Sequence, residues 1–364
     1  MAKFDESSIY DYTLDELKEI LKPSFRAKQV YNWLYKKYAN SYEDMKNLPK
    51  ELIEDLKTNY PIDILKVIKK EQSSDGSIKY LFKLRDNHTI EAVLLLMKDK
   101  KIDEDGQIVR SEKYTVCISS QVGCKVGCSF CLTARGGFVR NLTVGEYIAQ
   151  IVHIKRDNEI AENKALNIVY MGMGEPLDNF DNFVKAVEIF SELDGLAISR
   201  RRQTVSTSGI ASKIKKLGIK DLQIQLAISL HAVDDELRSE LIPMNKAYNI
   251  ASIIEAVKEF PVDTRKKVMF EYLVIKDKND SLDAAKKLVK LLDGIQAKVN
   301  LIYFNPYAGT SYQRPLETDM MRFKDFLNSK GVICTIRESK GLDISAACGQ
   351  LREKDIKKDE NGNS

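Results

Sequence analysis

Tyr114-Thr-Val-Cys117-Ile-Ser-Ser-Gln-Val-Gly-Cys124-Lys-Val-Gly-Cys128-Ser-Phe-Cys131 sets three cysteines within eight residues, directly behind a short apolar run. Tyr114–Ile118 reads as a strand, and downstream a strand-then-helix rhythm repeats. Further candidate strands are Asn167–Met171, Gln203–Ser206, Leu222–Ser229, Lys267–Val274 and Lys298–Phe304. Helical patterns separate them, for example Phe183–Leu193, Ala211–Leu217, Ile250–Phe260, Asp283–Leu292 and Met320–Ser329. Six such units predict an α/β fold on a parallel barrel, full or partial. In such a barrel functional side chains gather on loops beyond the strand ends, which is where the cysteine cluster falls.

Upstream the pattern changes. Thr13 and Glu16 make a capping box ahead of Leu14, Leu17 and Leu21, and Pro49 precedes a helix carrying Leu52, Ile53 and Leu56. A helical module over 1–62 is expected. Ile78, Tyr80, Phe82 and Leu84 then alternate with polar neighbours, Ile90–Leu96 is apolar, and Asp75-Gly76 and Asp86-Asn87 supply turns. That predicts a β-rich bridge over 63–112, the barrel with its C-terminal segment over 113–351, and a polar, disordered tail over 352–364.

The 364 residues carry 57 basic and 53 acidic side chains, so charge alone says little about partners. Its distribution says more. From Ile20 to Tyr42, Lys22, Arg26, Lys28, Lys36 and Lys37 alternate with Phe25, Tyr31, Trp33, Tyr35, Tyr38 and Tyr42, with no acidic residue. Cations and rings suit RNA; Val30, Trp33, Leu34 and Tyr38 also share a helical face, which places Trp33 in the core. Arg200-Arg201-Arg202 either grips phosphate or faces solvent. The longest apolar run, Ala92–Met97, is too short to cross a bilayer, and Met1–Tyr12 resembles no secretion or transit signal. A cytoplasmic monomer is expected. There the six cysteines, Cys117, Cys124, Cys128, Cys131, Cys334 and Cys348, point to metal or thiol chemistry rather than a disulfide framework.

Three thiolates suit a soft metal centre. A [4Fe–4S] cluster on three cysteines leaves one iron open, whereas structural zinc needs a fourth ligand, from His88, His153, His231 or a remote cysteine. The CxxxCxxC spacing, with Phe130 before the last cysteine, resembles the radical-SAM superfamily motif. Met171-Gly-Met-Gly174-Glu175-Pro176 looks like that superfamily's Gly-Glu-Pro segment. The resemblance implies a partial (β/α)6 barrel, a cluster on Cys124, Cys128 and Cys131, and S-adenosylmethionine (SAM) chelated to the open iron and cleaved to a radical.

Gly341-Leu-Asp343-Ile-Ser-Ala-Ala-Cys348-Gly-Gln-Leu351 resembles the C-terminal signature of the adenosine-C2 methyltransferases called RlmN. Phe25–Gln29, Gln72–Gly76, Ser119–Cys124, Ser206–Gly209 and Ala227–His231 look like further segments of that family. The resemblance implies methylation of an adenosine in 23S ribosomal RNA and of one 3′ of tRNA anticodons, using two SAM per turnover and an electron donor such as flavodoxin. It implies that Cys348 takes a methyl group, that Cys117 later forms a transient disulfide with Cys348, and that Glu91 accepts the adenine proton. Gly174, Glu175, Ser206, Ser229, Leu230, His231 and Asn305 match SAM-contact positions. Cys334 matches no role and reads as strand packing in Val332–Ile336. The rivals are Cfr-type methylation of carbon 8 and a non-catalytic zinc-stapled RNA binder. Pro176 and Asn305-Pro306-Tyr307 depart from the Cfr pattern.

Overall fold

The computed structural model describes residues 7–98, 101–102, 108–262 and 267–351. The tail expected to be disordered lies outside the described residues. A ten-stranded sheet organises the chain. Three strands, β1 (Leu65–Gln72), β2 (Ile78–Leu84) and β3 (Thr89–Lys98), form an antiparallel meander. β3 then pairs antiparallel with β4 (Lys113–Cys117). From there six more strands follow in parallel: β5 (Leu166–Tyr170), β6 (Gln203–Thr207), β7 (Gln225–Ser229), β8 (Val268–Val274), β9 (Ala297–Tyr303) and β10 (Ile333–Arg337). The predicted α/β half-barrel is present, with one parallel strand more than the six counted. The extra strand is the Cys334 segment, and Cys334 is buried in it.

The strands expected to bridge two modules continue the barrel sheet. The alternating residues of β2 form the expected strand, and it is buried along most of its length, Lys79 included. Helix α4 (Val144–Asp157) packs on it: Asp157 accepts from the Tyr80 hydroxyl, and His153 packs edge-on against Phe82.

The N-terminal helices α1 (Leu14–Ile20), α2 (Phe25–Tyr35) and α3 (Lys50–Asn59) share one apolar core with the barrel. The Thr13–Glu16 capping box forms as predicted. Asp11 accepts from the Gly145 N–H at the start of α4 (2.6 Å), fastening this layer to the barrel. Of the six aromatics from Phe25 to Tyr42, Tyr31, Tyr35 and Tyr42 are core, and only Phe25 is exposed. Trp33, predicted as core, is half-buried. Its Nε1 donates to Asn47 and Lys37 lies over its ring at 3.8 Å, because the α2 face that carries it meets solvent at one edge.

Candidate functional site

Parallel strands deliver their C-terminal ends to one rim, and an open cavity of about 160 Å3 occupies that rim. Cys124, Cys128 and Cys131 line it together with Gly174, Glu175, Ser206, Ser229, His231, Asn305 and Cys348. The sequence-predicted set therefore converges, apart from Leu230, Cys117 and Glu91. All six thiols are free. Burial drives the Cys124 thiol up to about 12 and raises those of Cys128 and Cys131. A thiol binds metal as thiolate, so a bound cluster would have to draw these three thiols down against their burial. No group of three His, Cys, Asp or Glu side chains gathers on one ion's position among the described residues. Three cysteine ligands suit a cubane, which then leaves one iron open, whereas structural zinc needs a fourth ligand.

The zinc alternative needs a fourth ligand, and the histidines are engaged elsewhere. His153 packs under β2, and His88 lines a neighbouring cavity. His231 is in the right place but occupied: its Nδ1 accepts from the Leu273 N–H (3.0 Å), and its ring meets Phe130 edge-on. Burial, with Arg238 nearby, pulls its pKa down to about 3, so the ring is neutral. The His231 backbone sits in the left-handed region (φ 59°).

The Gly-Glu-Pro loop is set by close approach. A Cβ on Gly172 would lie 2.7 Å from the Ile118 carbonyl, so only glycine lets this loop pack against the end of β4. Glu175 is then held by backbone N–H groups, Ser208 to Oε2 (2.7 Å) and Leu177 to Oε1 (3.1 Å). Burial raises its pKa and these bonds oppose the rise. Ser206 and Ser229 hydroxyls face each other at 3.4 Å. Asn305 donates to Ser339 (2.8 Å) and accepts from Arg314. Leu230 does not line the cavity: its side chain is fully buried, its N–H donates to the Glu271 carbonyl, and its own carbonyl accepts from Arg238.

A further wall, beside the cysteine loop, is the segment 341–351. Asp343 accepts from the Ser73 hydroxyl and the Ser74 N–H in the β1–β2 turn, and Asp75 accepts from the Gly341 N–H. Leu132 N–H donates to the Gly349 carbonyl and Thr133 Oγ1 to that of Leu351. Two motifs read separately in the sequence, 72–76 and 341–351, thus clasp each other and suspend exposed Cys348 over the cluster loop. Cys117, buried at the end of β4, is pushed up to about 12 by burial and by Cys348; Arg337 opposes this.

Glu91 lies on β3, buried, with its Oε1 3.6 Å from Lys79 Nζ. It lines a neighbouring cavity with His88, Val122 and Met173, which shares Thr133 with the first. Arg200–Arg202 immediately precede β6, so they sit at the end of the barrel remote from the cavity, with Arg200 half-buried and Arg201 and Arg202 exposed.

Three important residues were not singled out by sequence. Arg238 is fully buried and donates to the carbonyls of Ser208, Ser229 and Leu230 and to Asn245. Nothing in Asp234–Leu241 distinguishes it from a solvated helix. Glu271 and Arg337 line the cavity and face each other at 3.9 Å. A lone carboxylate inside the apolar run Val268–Val274 was the available signal for Glu271.

Comparison with known proteins gives a consistent picture. Residues 118–289 match the Radical SAM superfamily, and residues 7–62 match the ribosomal RNA large subunit methyltransferase N-terminal domain. The dual-specificity RNA methyltransferase RlmN of Aliarcobacter butzleri (strain RM4018) is 89% identical over 364 residues, covering 100% of both chains. That of Wolinella succinogenes is 65% identical, covering 98% of this chain and 99% of the relative. A crystal structure of a radical SAM methyltransferase from Sphaerobacter thermophilus superposes with a TM-score of 0.87 at 42% identity, covering 95% of this chain and 99% of that one.

Proposed function

Since the chain belongs to the RlmN family of radical SAM RNA methyltransferases, we propose that it methylates carbon 2 of adenosine in both 23S ribosomal RNA and tRNA. The observation that carries this reading is that three clustered cysteines and Cys348 line one and the same cavity. When bound, the cluster and SAM supply a methyl group and a hydrogen-abstracting radical.

The chain's own residues do the rest. Cys124, Cys128 and Cys131 hold the cluster. Glu175, fixed by two N–H groups, keeps lone pairs for the SAM ammonium, and Ser206, Ser229 and Asn305 provide hydroxyl and amide groups for its ribose and carboxylate. His231 contributes its backbone, since its ring supports β8. Cys348 carries the methyl group as a thioether. After its methylene carbon has bonded to the base, Glu91 takes the displaced proton. Cys117 attacks the Cys348 sulfur as a thiolate; the carbon–sulfur bond breaks with its electron pair on the carbon, which takes up a proton to complete the methyl group, and the Cys117–Cys348 disulfide left behind is reset by a two-electron thiol reductant. Arg337 favours the thiolate that Cys117 needs for this attack. A monomer, divided at 1–62, 63–112, 113–351 and 352–364, suffices for these roles.

Pro176 and Asn305-Pro306-Tyr307 favour carbon 2 over carbon 8. Anaerobic reconstitution with SAM, reductant and unmodified ribosomal RNA or tRNA, followed by mass spectrometry of the nucleosides, tests the proposal. The expected product is 2-methyladenosine in both RNAs; 8-methyladenosine alone would overturn it.

A further inference from the structure

Glu271 is 3% exposed on β8, in the register row Ser229–Glu271–Asn300–Thr335 that runs across the parallel strands. Its Oε1 accepts from Asn300 Nδ2 (3.2 Å), whose own Oδ1 accepts from Thr335 (2.7 Å). Its Oε2 is buried without a hydrogen-bond partner among the described residues. Burying a carboxylate oxygen without a donor is costly, and the other carboxylate lining this cavity is satisfied: Glu175 takes a backbone N–H on each oxygen. The residue lines the same cavity as Cys348, beside Arg337. An open acceptor next to a guanidinium donor is the complement of one edge of adenine, where the exocyclic amine donates and N1 accepts. Hypoxanthine presents the reverse pattern.

We infer that Glu271 is a specificity residue that accepts from the amino group of the target adenine through Oε2, while Arg337 donates to the adjacent ring nitrogen. SAM also carries an adenine and ribose hydroxyls, but Arg337 and Cys348 mark this as the methyl-carrier side of the cavity, where the target base must sit. The inference rests on the adenosine methylation proposed above.

The test is a chemical double-mutant cycle on RNA hairpins whose target adenosine is replaced by purine riboside, lacking the amine, or by inosine. For the wild type, removing the amine lowers kcat/KM about 10- to 100-fold. Glu271→Ala loses a similar factor on adenosine and little more on purine riboside. Glu271→Gln, of the same shape but able to donate, shifts the inosine-to-adenosine ratio toward inosine at least about tenfold. Retention of the brown cluster absorbance verifies folding. Equal losses for Glu271→Ala on adenosine and purine riboside would overturn the inference. So would a raised KM for SAM with unchanged base preference, which would assign the donor to the cofactor. A wild type that forms no methyladenosine defeats the functional proposal instead; an active wild type whose Glu271 variants ignore the base change defeats only this one.

Discussion

The two walls of the cavity are fastened differently. The cofactor wall is made of strand ends tied from beneath: Arg238, fully buried, binds three loop carbonyls, and Glu175 is pinned by two backbone N–H groups. The Cys348 wall is a loop held at its margins by Asp343, Asp75, Leu132 and Thr133, with Cys348 itself exposed. The contrast follows from the work each wall performs. A cofactor site gains from groups already in position, whereas on the proposed mechanism Cys348 would have to meet SAM, then a base, then Cys117.

Substitutions on the two walls should therefore fail in different ways. The largest effects separate them outright. Cys128→Ala should abolish both brown colour and methylation, whereas Cys348→Ala should keep the colour and lose at least about 10³-fold in methylated RNA, read by nucleoside mass spectrometry. A colourless Cys348→Ala protein would show that the walls are not independent. Cys117→Ala should accumulate a covalent protein–RNA species on denaturing gels; normal release of methylated RNA would refute its resolving role. Arg238→Met should lower unfolding stability in urea by about 3 kcal/mol and weaken SAM binding, since several buried carbonyls lose their donor. Asp343→Ala should slow methyl transfer only about three- to tenfold and leave SAM affinity alone, because it loosens the carrier loop at one margin.

The smallest effect concerns pH and lies away from both walls. His153 is held neutral, its pKa pulled down to about 4 by burial and by Arg156. The unfolded chain binds this proton from about pH 6.5 downward while the folded chain resists until about pH 4, so stability falls with acidification across that window. His153→Gln should flatten the loss by of order 1 kcal/mol between pH 7 and 5. An unchanged slope would locate the acid sensitivity elsewhere.

The barrel and its cluster loop were legible because their signals are local: apolar runs at strand length, and three cysteines in eight residues. What escaped depends on register and cover. Glu271 and Arg337 meet only because β8, β9 and β10 align side by side, a relation that no spacing along the chain encodes. The burial of Lys79 in β2 was not legible either, because the alternating sequence does not announce what packs on the strand. The clasp between 72–76 and 341–351 was visible as two motifs but not as one contact, since about 270 residues separate Ser73 from Asp343. Trp33 shows the converse, an apolar side chain on the right helical face that the fold leaves at a margin.

A sheet that stops short of closure leaves terminal strands whose peptide groups could recruit a stranger. The first strand is armed against that. β1 presents Lys66, Lys69 and Lys70 to solvent, and its pairing slips between Val67 and Lys69, so its outer edge is both cationic and irregular. Replacing those lysines with threonine or valine would leave catalysis untouched in dilute solution. It would also turn the edge into a template for self-association, and light scattering against concentration would record the change.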